Sequence, residues 1–309
     1  MAQVRRAYHS FPRRGAKTVA AANRKGIAVL RSIAAGGLLL RPEVLTIPGE
    51  VLADGTTGKD SFIAERYASF TVRTETELVA EHADTFGEFS IEFELAKLVE
   101  LGALPVFYLP LRRDQNSPAR SLTATTAELS RLLERLQGWG QTAKSPKAKM
   151  LFTVSGRRAL EVDRQVVKQL LELMTQELRP ISALLADLQA LTTLIYPVDA
   201  GDAEALRYFE QREWRLVSGL IDPAVHDAAP PSPQEKAVLL AIDRSFYSKV
   251  IELRSYSAPR IDECLLVRRV RGRRFLELAR RVLVPRGAFE QARAAVADFP
   301  ALAVESLDA

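Results

Sequence analysis

Apolar and polar positions change rhythm several times along this chain, and each change marks an element. Residues 1–25 are basic and weakly patterned, and they carry Tyr8-His9 and Pro12. Ile27, Leu30, Ile33 and Ala34 then recur at three- and four-residue spacing, which predicts a helix within Gly26–Leu40 that Gly36-Gly37 stops. The stretch PGEVLADGTTGKD (48–60) is dense in turn formers and reads as an exposed loop. A strand around Ala68–Val72 and a short helix through Glu75–His82 follow. Phe86-Gly87 opens a turn into Phe89–Glu94, whose alternation predicts a half-buried strand with Ile91 and Phe93 inward. Leu95–Leu101 reads as a helix ended by Gly102, and Pro105–Leu109 as a buried strand ended by Pro110.

From about Ser121 to Leu194 the period becomes helical. Helices are expected over Ala127–Trp139, Ala159–Leu178 and Ile181–Leu194, with Pro180 breaking the second and a loop over 140–149. Tyr208–Val217 returns to a period of two, so Arg212 and Trp214 share one strand face while Glu213 and Arg215 share the other. A Pro/Ala loop (Asp227–Pro233), a strand at Val282–Val284, a helix through Val296 and a last strand close the chain. No repeat of 20–50 residues is visible. The expected fold class is α+β, a mixed sheet core with an inserted helical block. Residues 1–120 form the N-terminal part of the core, 121–195 the helical insertion, and 196–309 complete the core.

Composition narrows the classes. With 47% hydrophobic and 26% charged residues the 309-residue chain matches a soluble globular protein. No run reaches the roughly 18 apolar residues of a membrane span, and the basic N-terminus has no apolar signal core, so the expected location is cytoplasmic and no membrane partner is expected. Cys264 stands alone and there are three histidines, which argues against a disulfide or a zinc cage. The net charge of +5 hides an asymmetry. Residues 1–42 hold basic side chains and no acid, and residues 268–286 hold arginines against the single acid Glu277. Arg268, Arg269, Arg271, Arg273 and Arg274 are therefore the candidate contacts to nucleic acid. An arginine-covered surface, or a basic tail from an upstream start codon, would look the same.

Candidate chemistry concentrates in Tyr208–Val217, where Glu213 lies between Arg212 and Arg215. Half-buried acids beside arginines have the perturbed protonation that functional sites need, although a structural ion-pair ladder has the same pattern. Glu92 and Glu94 fall on one strand face, where they could hold a magnesium ion or form a solvated face. His82 reads as a general base or a helix-capping histidine, Tyr108 as a buried ring with its hydroxyl on a polar partner, and His226 as a loop residue. Gly-Thr-Thr-Gly-Lys in 55–59 lacks the spacing of a phosphate loop. No metal site is expected.

Several of these pieces together resemble the abortive-infection AbiG-type phage-resistance proteins: VLRSIAAGGLLL, the SFT strand, HADTFGEFSIEFELAKLVELGALPVFYLP and YFEQREWRL. The matching positions are Phe86-Gly87, Gly102, Pro105-Val106, Tyr108 and Gln211–Arg215, within residues 27–110 and 196–217. Gln211 stands where relatives often carry an acid. The resemblance implies bacterial defence, as one half of a two-gene toxin–antitoxin pair with a cognate toxin or antitoxin protein as partner. A second likeness is to ADP-ribosyltransferase-like folds: Tyr8-His9 precedes a helix ending SIAAGGLLL, although Ser10-Phe11 departs from the usual order and Pro12–Lys25 is long. That likeness implies NAD as the ligand. It places His9 on the ribose side and Glu213, or Glu210, as the catalytic carboxylate. Tyr67, Ser69 or Thr71 would take the middle position, and Arg212, Arg215, Tyr67 and Thr71 would contact the cofactor. The alternative is a non-catalytic nucleic-acid- or protein-binding module of a toxin–antitoxin pair.

Overall fold

The computed structural model describes residues 6–11, 18–47, 61–78, 87–111, 129, 151–154, 158–161, 165–166, 168–169, 172, 181–199, 212–244, 250–253, 256–259 and 261–307. In chain order these form β1 (Arg6–Phe11), α1 (Val19–Gly36), β2 (Leu38–Ile47), β3 (Ser61–Arg73), the single turn α2 (Glu75–Glu77), β4 (Phe89–Phe93), α3 (Leu95–Glu100), β5 (Leu104–Pro105) and β6 (Phe107–Leu111). Then come β7 (Leu151–Val154), β8 (Arg158–Glu161), α4 (Ile181–Thr192), β9 (Ile195–Asp199), β10 (Glu213–Val217), β11 (His226–Ala229) and α5 (Pro233–Ile242). The chain closes with β12 (Val250–Leu253), β13 (Tyr256–Pro259), β14 (Leu265–Val270), β15 (Arg273–Arg274), β16 (Arg281–Val284), α6 (Phe289–Ala295) and β17 (Ala303–Ser306).

The fold is α+β with a mixed sheet. Contacts divide the chain into two compact units, one of residues 1–45, 62–110 and 193–309, the other of 46–61 and 111–192. In the first, eleven described strands join in one sheet ordered β11-β14-β2-β3-β1-β4-β16-β17, with β10 on β3, β5 on β10 and β15 on β14. Neighbouring strands β1–β3, β1–β4, β10–β3, β14–β2 and β16–β4 run antiparallel, while β16 and β17 run parallel. In the second, β7 and β8 pair antiparallel and α4 follows the expected helix. The described part of 121–195 is thus mixed rather than purely helical: Arg158–Glu161 is strand where a helix was expected from Ala159. The 140–149 loop, the 48–60 loop and, but for Leu129, the helix over 127–139 lie outside the described residues.

Helix α1 starts seven residues earlier than its apolar period announces, because Thr18 caps it, its hydroxyl accepting from Ala21 N at 3.2 Å. Ile27, Leu30 and Ile33 are buried, and Gly26 lies so close to Phe89 that a β-carbon there would stand 2.3 Å from the ring. On the sheet, side chains alternate between two faces. Ala7, Phe11, Val72, Phe70, Phe89, Ile91, Phe93, Val282 and Val284 belong to one apolar cluster with α1. The other face carries one polar row across five strands beside a small apolar cluster of Tyr8, Leu78 and Leu283. The register pairs Arg281 with Glu92, Glu92 with Tyr8, Tyr8 with Thr71, and Thr71 with Glu213.

That polar face overturns the half-buried expectation for Phe89–Glu94: every residue of β4 is buried, Ser90 and Glu92 included. Three further expectations shift. The weakly patterned N-terminus contains strand β1. The Pro105–Leu109 strand is split in two, with Phe107 60% exposed rather than buried. His226–Ala229 is a strand where a loop was expected. Among the described residues no helix is long and apolar enough to cross a membrane.

Candidate functional site

Glu213 opens β10 immediately after Arg212, whose φ of 46° puts it in the left-handed region. Arg212 therefore stands outside the strand alternation that Glu213–Val217 follow, so it does not share a strand face with Trp214 as expected, and Tyr208–Gln211, with Glu210, lie outside the described residues. Within β10 the expectation that Glu213 and Arg215 share a face is met. Arg215 donates from Nε to Glu213 Oε1 at 2.9 Å and from Nη2 to Oε2 at 3.2 Å. Ser69 donates its hydroxyl proton to Oε1 at 2.5 Å, and Tyr108 donates its phenolic proton to Oε2. Arg215 also donates to the carbonyl of Thr193, and its guanidinium lies 4.4 Å over the Tyr67 ring. Tyr108 is the residue sequence reasoning under-read: a polar partner was expected for its hydroxyl, but nothing in its apolar strand named Glu213.

Burial alone would push the Glu213 carboxyl up. The charge of Arg215 and the hydrogen bonds from Arg215, Ser69 and Tyr108 outweigh it and hold the carboxyl below its ordinary value of 4.5. Each carboxylate oxygen accepts two hydrogen bonds, so the lone-pair positions of Glu213 are filled by its own neighbours. For Arg215, burial works to lower and Glu213 to raise, and the raising wins.

His9 reaches the same place from the other side. The β1–β3 ladder runs from Arg6↔Arg73 to Tyr8↔Thr71, whereas β1 stays paired with β4 as far as Phe11↔Phe89. At the point where β1 leaves β3, His9 Nδ1 lies 3.0 Å from the carbonyl oxygen of Ser69. His9 pairs in register with Ile91 and its ring packs 5.6 Å from that of Phe70, so it shares the apolar face. Glu213 pairs with Thr71 on the polar face. His9 and Glu213, 60 and 144 positions from Ser69, thus converge on one residue from opposite faces of the sheet. Thr71 is buried in the row between Tyr8 and Glu213. Arg212 points elsewhere, with Nη1 4.0 Å from Glu77.

The second carboxylate of that row has a different setting. Glu92 is fully buried and accepts from Tyr8 OH at 3.1 Å, Arg280 Nη1 at 3.0 Å, and Arg281 Nε and Nη2 at 2.9 and 2.7 Å. Burial, then the charge and hydrogen bond of Glu92, push the Tyr8 phenol well above its ordinary value. A magnesium pair with Glu94 is ruled out here, since Glu92 is neutralised by arginines and Glu94 has left the strand. No group of three His, Cys, Asp or Glu among the described residues could hold a metal ion.

The candidate nucleic-acid arginines divide. Arg268 forms a two-oxygen pair with Glu235 at 2.8 and 3.1 Å, and Arg274 pairs with Glu277 at 3.2 Å and lies 3.9 Å over Phe299. Arg269, Arg271 and Arg273 are exposed. His226, expected in a loop, is buried with Nε2 2.9 Å from the Leu101 carbonyl and Nδ1 3.1 Å from that of Asp222. His82 lies outside the described residues. Comparison with protein-family models, with curated proteins and with solved structures finds no match.

Proposed function

We propose that this chain is a cytoplasmic phage-defence protein of the abortive-infection kind, whose sheet core handles NAD as ADP-ribosyltransferase-like folds do. The observation that carries the reading is a buried, ionised carboxylate, Glu213, held by Arg215 and by the hydroxyls of Ser69 and Tyr108 on one face of the sheet. Breaking the nicotinamide–ribose bond sends the electron pair out with nicotinamide and leaves an oxocarbenium-like carbon, which an acceptor then attacks with loss of its proton. An ionised carboxylate stabilises that centre through its field. Glu213 fits this requirement because its neighbours keep it charged. A ribose hydroxyl would reach it by taking the place of the Ser69 or Tyr108 proton, and both are single, rotatable O–H donors. His9 lies on the other face of the sheet and meets Ser69 at its backbone carbonyl, so it would position that residue rather than border the ligand.

The second reading is a non-catalytic module that binds a cognate protein, with Glu213 as a packing ion pair. The filled acceptor positions of Glu213 favour it. Incubation of the full chain with NAD labelled in its adenylate phosphate, together with cell lysate, separates the two. Transfer of label that is lost in Glu213→Gln supports the first reading; transfer that survives the substitution removes Glu213 from the chemistry. Absence of both NAD binding and transfer leaves the module.

A further inference from the structure

The hairpin of β14 and β15 presents three exposed arginines, Arg269, Arg271 and Arg273, at its tip. Val270 pairs with Arg273, so Arg271-Gly272 is a two-residue turn, with φ of 51° and 77°. Two consecutive positive φ values mark the hairpin turn that normally takes Asn, Asp or Gly at its first position. An arginine there carries a backbone cost of roughly 1–2 kcal/mol. The stem is rigid, because Val270, Phe275 and Leu276 are buried in the apolar cluster.

At the tip Arg269 donates to the Gly272 carbonyl at 2.8 Å and Arg273 to the Glu277 carbonyl at 2.6 Å. Carbonyls orient these guanidiniums without neutralising them. Among the described residues none of Arg269, Arg271 and Arg273 has a carboxylate in ion-pair range: Asp227 faces Arg269 in the β11–β14 register without pairing to it, Glu100 pairs with Lys97 at 2.6 Å, and Glu277 pairs with Arg274.

We infer that this tip is a nucleic-acid backbone contact, independent of the NAD reading. Guanidiniums bind phosphate oxygens in pairs, and one strand of a duplex offers a phosphate about every 3.4 Å along its axis. No aromatic or aliphatic side chain is exposed between Arg269 and Arg274. The contact therefore reads no base by stacking and has no wedge to enter a bilayer, which favours a duplex backbone over single strands or a membrane. Arg268 and Arg274 take no part, since each serves a carboxylate of the fold.

The test titrates a short labelled DNA duplex with the full chain over a range of salt. Binding should weaken linearly in the logarithm of salt concentration. The triple variant Arg269→Gln/Arg271→Asn/Arg273→Gln should bind at least about tenfold more weakly, with the salt slope reduced by roughly 2–3. Asn at position 271 keeps the positive φ. Arg293→Gln, which removes an exposed arginine on α6, should change affinity less than about twofold. If the triple variant fails to fold, the three single variants must each lower the slope by about 1. Wild-type slope and affinity in these variants overturn the inference, as does binding to phosphatidylserine vesicles without binding to the duplex.

Discussion

At Glu213 burial and charge pull the proton in opposite directions, and charge wins. Its folded value lies below the ordinary 4.5, so its ionised form stabilises the fold at neutral pH, and that contribution disappears as pH falls through the lower folded value. Glu213→Gln leaves Arg215 buried without its partner and should cost about 3–5 kcal/mol near neutrality. Denaturant melts across pH should show the gap between wild type and variant narrowing below 4.5; a gap constant with pH would contradict the ion-pair account. The Glu213–Arg215 pair was legible in the alternation of five residues. Ser69 was legible only through a family likeness, and the Tyr108 bond was not legible, because a hydrogen bond across 105 positions depends on strand order.

Two elements show where local pattern stops predicting. FSIEF reads as a strand with a wet face, yet Glu92 lies dry because Arg280 and Arg281 arrive from 188 and 189 positions away. Polarity in a strand identifies a face but not what covers it. Helix α1 reads from its apolar period, but its glycine at position 26 has a reason only against Phe89. Gly26→Ala should lose about 1–3 kcal/mol despite the better helix propensity of alanine, because a buried ring has to move. Adding Phe89→Leu should return part of it in thermal melts. In the β14–β15 turn, Arg271→Gly should raise stability by about 1 kcal/mol and Arg271→Val should lower it.

Across the whole sheet, Glu92 joins elements that the chain separates widely. Arg281 bonds it from β16 and also reaches Glu75, the first residue of α2, at 2.6 Å and Glu305 on β17. Tyr8 brings β1 to the same carboxylate. Tyr8→Phe should cost about 1.5–3 kcal/mol, the range for a hydrogen bond to a charged group. Glu92→Gln should cost more, and the double variant less than the sum, since both act on one network. The α+β class could be read from period changes, whereas β1 could not. Its six residues, RAYHSF, mix basic and apolar types without clean alternation, and their partners lie more than 60 positions away. The measurement that bears most directly on the nucleotide reading is nicotinamide release from NAD by wild type and by Glu213→Gln, both verified folded by circular dichroism. Release by the wild type that falls at least about 100-fold in the variant, the scale of losing one preorganised electrostatic group, is the predicted result. Equal release by the two proteins, or none by the wild type, would contradict it.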